Sequence, residues 1–135
     1  MHSSDHRSRF TVLSETETLT DSTYLLAGAA SEYLFYKGFW VELNAQFPEL
    51  QDPFDQYEET TAPPAVISAI LTKLQAVIEQ SKSEPEEISF VRGWSANGEP
   101  IETRGTRQDF VIELGKLAEF LQKALEETAT IECSL

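Results

Sequence analysis

The sequence predicts a single α+β domain: two or three amphipathic helices packed on a small, mostly antiparallel sheet that includes a hairpin near residues 88–104. Three observations lead there. Two long stretches repeat apolar residues at three- and four-residue intervals. An Asn97-Gly98 reversal separates two segments of strand character. The chain has 135 residues, 41% of them from the AVILMFWYC set, which fills one core and is too apolar for a disordered polymer. Residues 1–8 read as a flexible polar leader and 9–135 as the domain.

Taken in order, Arg9 to Leu13 alternates Phe10 and Val12 and predicts a short strand. Ser14 to Asp21 has no apolar stripe and reads as a loop ending in an Asp21 or Ser22 helix cap. Leu26, Ala30, Tyr33, Tyr36 and Trp40 then recur at helical spacing, predicting a helix from Ser22 through about Lys37. Gly38 is placed to end it, with Phe39 to Phe47 as a second short helix or a continuation past a kink. Four prolines make Pro48 to Pro64 a loop. Ile67, Ile70, Leu71, Leu74, Val77 and Ile78 form the cleanest stripe in the chain and predict a helix over 64–81. Ser81 to Glu87 is a polar connector, and Ile88 to Trp94 a strand that turns at Ser95-Ala96-Asn97-Gly98 and returns along Pro100 to Arg104. Thr106 caps a helix striped by Phe110, Leu114, Leu117, Leu121 and Leu125. Thr128 to Leu135 closes the chain as a strand.

Several function classes are disfavoured at once. No apolar run approaches the roughly 18 residues of a spanning helix, because Ser31, Glu32, Lys37 and Glu42 break the densest stretch. Met1 to Asp5 offers no apolar core for a secretory signal, so a cytoplasmic location is expected. One cysteine, Cys133, excludes an intrachain disulfide or a multi-Cys zinc site, and its place beside Ile131 and Leu135 reads as a small buried hydrophobe. Both histidines, His2 and His6, lie in the leader. No phosphate-binding loop, HExxH or CxxC is present, and no catalytic residue, metal ligand or cofactor is expected.

Charge is the informative property. The chain carries a net −13, and residues 10–72 hold Glu15, Glu17, Asp21, Glu32, Glu42, Glu49, Asp52, Asp55, Glu58 and Glu59 against Lys37 alone. Those carboxylates lack cations nearby in sequence and are expected to form a bare negative face. Nucleic acid and anionic membranes both need a basic footprint and are disfavoured as partners. A basic protein is favoured. Arg92, Arg104 and Arg107 form the basic cluster, expected to pair with Glu99, Glu102, Asp109 or the acidic loop.

The candidate partner-binding residues are Glu49, Asp52, Phe54, Asp55, Tyr57, Glu58 and Glu59, where two aromatics interleave with acids. An exposed ring supplies buried area and the carboxylates supply steering; the competing expectation is that Phe54 and Tyr57 pin the loop to the core. With no catalytic set, the composition points to a non-catalytic inhibitor covering a basic enzyme such as a nuclease toxin, like bacterial immunity proteins in size and charge alone. Two alternatives stand beside it. One is an adaptor or regulatory subunit of a small homo-oligomer, its acidity serving solubility. The other is a carboxylate- or metal-dependent enzyme.

Overall fold

Ser8, Phe10 and Val12 point inward from β1 (Ser8–Leu13) while Arg9, Thr11 and Leu13 point away, the period-two pattern of a strand with one wet face. The computed structural model describes residues 8–13, 23–48, 53–55 and 58–135. Within these, β1 is followed by β2 (Thr23–Leu26), α1 (Gly28–Tyr36), α2 (Phe39–Gln46), β3 (Glu59–Ala62), α3 (Pro64–Ser81), β4 (Glu87–Trp94), β5 (Pro100–Thr106), α4 (Arg107–Glu126) and β6 (Thr130–Ser134). The expected α+β class is the observed one.

Four strands form an antiparallel sheet in the order β2-β1-β6-β3, and β4 and β5 form a separate two-stranded sheet. The hairpin thus stands apart from the main sheet instead of belonging to it. On the main sheet Phe10, Val12, Leu26, Ala62, Ile131 and Cys133 are buried, with α3 and α4 packed against its strands. The opposite face carries Arg9, Thr11, Thr23, Glu59, Thr61, Thr130, Glu132 and Ser134, all exposed or half-exposed.

Two expectations are corrected here. Thr23 to Leu26 is a strand, not the first turn of a helix, and α1 begins only at Gly28. Local spacing fits a helix, but pairing Ser8 with Leu26 and Phe10 with Tyr24 buries Leu26 against the core. Likewise the stretch 48–64 is not all loop: Glu59–Ala62 pairs with β6, Thr60 opposite Cys133. The expected cap at Asp21 or Ser22 lies outside the described residues.

Other junctions follow the sequence closely. Gly38 takes φ 72, the left-handed conformation that lets the chain leave α1 and enter α2. Pro64 occupies the first turn of α3, where its missing N–H leaves no partner wanting. The Thr106 hydroxyl accepts from the Asp109 N–H at 3.0 Å and caps α4. At the hairpin turn, Gly98 alone among the loop residues has positive φ (81), and its N–H donates to the Ser95 carbonyl. That is a type I reversal completed by a left-handed glycine, so Asn97 does not need positive φ.

Trp40 is the hub of the aromatic core, within 4.8–6.5 Å of Phe10, Phe35, Phe39 and Phe54 by ring centroid. Its indole N–H finds no acceptor among the described residues, a cost that the packing of a fully buried ring outweighs. A second stack joins the hairpin to the helices: Phe110 lies 4.7 Å from Tyr33, and Tyr36 lies 4.7 Å from Phe90. Gly105 makes this approach feasible, since a Cβ there would sit 2.7 Å from the Phe110 ring.

Candidate functional site

Asn44 of α2 holds the one aromatic of the acidic segment that the structure describes, Phe54. Its side-chain amide donates to the Phe54 carbonyl at 2.8 Å, and its oxygen accepts from the Phe54 N–H at 2.8 Å. One asparagine therefore satisfies both backbone groups of Phe54, as a neighbouring strand would. The Phe54 ring is buried 5.0 Å from Trp40. Farther along, the Thr60 hydroxyl donates to the Pro53 carbonyl, and the Leu135 N–H donates to the Glu58 carbonyl. Phe54, Pro53 and Glu58 are thus tied to α2, to β3 and to the end of the chain, respectively.

Phe54 is therefore not an exposed anchor. Its ring is worth more in the core than in water, and the burial fits the reading in which it pins the loop. Asp55, Glu58 and Glu59 are exposed. Glu49, Asp52 and Tyr57 lie outside the described residues.

The expectation of a bare negative face also needs correcting. Glu42 meets Lys73 at 2.6 Å, Glu32 meets Arg92 at 3.3 Å, and Glu59 lies 3.9 Å from Arg9. These cations are distant in sequence, and the fold delivers them. Glu59 and Arg9 face each other across β6, both in register with Ser134. That pair is solvent-exposed and long, so it is worth about 0–1 kcal/mol and leaves Glu59 available to a better cation.

The arginines of the hairpin region divide their roles. Arg92 reaches the buried Glu32 of α1, whose second oxygen accepts from the Thr103 hydroxyl at 2.7 Å. Arg107 donates to the Glu84 carbonyl at 2.9 Å. Arg104 pairs with Glu102 at 3.6 Å on the surface, as expected, whereas the partners of Arg92 and Arg107 differ from the predicted ones.

A groove of about 310 Å³ opens beside the start of α1, floored by Ala29, Ala30, Phe110 and Ile112 and edged by Arg104 and Glu113. Its polar groups have structural work. Glu113 accepts from the Tyr24 hydroxyl and the Ala27 N–H, both at 3.4 Å. Burial, followed by the charge of Glu113, pushes the Tyr24 hydroxyl up to about 12. Cys133 is buried, and desolvation with the nearby Glu132 pushes its thiol up to about 12, far from a reactive thiolate. Among the described residues no three metal-ligating side chains converge, and no helix is long and apolar enough to cross a membrane.

On the hairpin, the sequence reading missed one exposed side chain. Trp94, at the end of β4, is 67% exposed. The signal was there: a glycine, Gly93, inside a strand pattern marks a bulge, and a bulge reverses which face the next residue takes. Comparison with protein-family models, curated proteins and solved structures finds no match.

Proposed function

We propose that this chain is a non-catalytic, acidic protein-binding module of immunity type, acting in the cytoplasm of a bacterium to block a basic partner such as a nuclease toxin. The observation that carries the reading is the Asn44 clamp on Phe54. It holds the backbone of Phe54 beside the exposed Asp55, and the exposed Glu58 and Glu59 lie at the start of β3. Backbone held at Phe54 before the partner arrives has less entropy to lose there on binding. A net −13 draws a cationic surface and repels phosphate-bearing ligands. A nuclease is positive where it grips its substrate, so exposed carboxylates such as Asp55, Glu58 and Glu59 compete for that site and turn over nothing.

The test is affinity capture from native extract at low salt and at about 0.5 M salt, where charges beyond a few ångströms are screened. A basic protein retained at low salt and weakened at high salt is expected. With that protein purified, the triple substitution Asp55→Asn, Glu58→Gln and Glu59→Gln is expected to slow association about tenfold with less effect on dissociation. Recovery of no basic protein at either salt rejects the proposal.

A further inference from the structure

The β4–β5 hairpin breaks its own alternation. Ile88 and Phe90 are buried, and an unbroken strand would send Arg92 and Trp94 to that same side. The register shifts between Val91 and Gly93, however, so that Arg92 is an extra residue on β4. Trp94 then pairs with Pro100 while Val91 pairs with Glu102. Pro100 and Glu102 are two apart on β5, so Trp94 and Val91 share the outward face. The indole is 67% exposed, Val91 40%, and Pro100 is exposed beside them.

We propose that this outward face is a docking surface for an arginine- or lysine-bearing segment of a protein partner, with Trp94 as the ring that receives the cation. An indole face attracts a guanidinium or ammonium ion. Glu102 lies diagonally across from Trp94, within reach of an ion seated on the ring. Its present partner, Arg104, holds it at 3.6 Å in an exposed pair, the kind of contact an incoming cation displaces at little cost. The platform is also rigid. Arg92 and Thr103 both engage Glu32 of α1, Tyr36 stacks on Phe90, and the Ser95 hydroxyl accepts from the Asn97 and Glu99 N–H groups to fix the turn. A second copy of the chain is a poor occupant, because it brings another −13. The inference takes the partner's positive charge from the function proposed above, and it adds a contact site outside the acidic loop.

The chain has two tryptophans, and Trp40 is buried, so acrylamide-accessible emission reports Trp94. Titration with a nona-arginine peptide at low ionic strength, against a neutral Gly-Ser peptide, is expected to shield Trp94 at least twofold from acrylamide. The Trp94→Ala variant, with an unchanged circular dichroism spectrum, is expected to bind the arginine peptide about tenfold more weakly, and Glu102→Gln about threefold. Full-strength binding by Trp94→Ala, or binding without shielding of Trp94, overturns the hairpin proposal while leaving the acidic-loop reading intact. Absence of peptide binding overturns it too, as does shielding of Trp94 by self-association, read as a dimer mass by light scattering. The acidic-module reading fails separately, when salt-dependent capture recovers no basic protein.

Discussion

Thr128 holds φ 54 at the end of α4, a conformation that a β-branched side chain resists. The residue stays there because it completes a helix stop: its N–H donates to the Leu125 carbonyl, and the Ala129 N–H reaches back to the Ala124 carbonyl. Thr128→Gly removes the steric cost and adds some unfolded-state entropy, for a net gain of about 0.5–1 kcal/mol. Urea denaturation reads this directly, and a loss of stability would show that the threonine side chain has a role of its own. Cys133 makes a second prediction, in pH. Burial raises its thiol from 9.0 to about 12, so the folded state favours the protonated form. Its contribution is fully present below pH 9 and is lost as pH rises from 9 toward 12, at about 1.4 kcal/mol per pH unit. The difference in stability between the parent and Cys133→Ala is therefore expected to shrink across that window. A constant difference would mean that the thiol is not desolvated. Its inward position was legible from Ile131 and Leu135 on the same period-two face, because a closing strand with one buried side leaves little choice.

Among the elements, those with strong local signals match what their residues imply. The apolar stripe and Pro64 place α3 over Pro64–Ser81, and the Thr106 cap starts α4. β2 and β3 are different, since four-residue strands are defined by the partner they pair with and not by their own pattern. The hairpin adds a third lesson. Its strands were evident, but the bulge at Arg92 decides which side chains meet water, and Arg92 turns to Glu32 on a helix about sixty residues earlier in the chain. Arg92→Ala leaves Glu32 buried with only the Thr103 hydroxyl, and is expected to cost about 2–3 kcal/mol, tempered by the partial exposure of the arginine. Adding Glu32→Gln is expected to restore part of that loss, because the neutral amide no longer needs a countercharge. A double-mutant cycle measures the recovery; strictly additive losses would deny the coupling.

For the molecule as a whole, self-repulsion sets the sensitivity to salt. With a net −13 and several carboxylates served by single exposed partners, raising NaCl to about 0.5 M is expected to stabilise the fold by on the order of 1 kcal/mol, visible as a rise of several degrees in Tm. A fall in Tm would show that ion pairs such as Lys73–Glu42 outweigh the repulsion.

Period and composition were enough to establish an α+β core, its two long helices, its hairpin and its acidity, because each rests on neighbours within a turn or a strand. They could not tell which charges stay bare. Glu32, Glu42 and Glu59 find cations at positions 92, 73 and 9, and no local pattern encodes those meetings. The same holds for the aromatics. Phe54 turns inward because Asn44 and Trp40 wait for it, and Trp94 turns outward because one extra residue shifts its strand. Burial and pairing are properties of surfaces brought together by folding, and a side chain's face is settled only when its partner arrives.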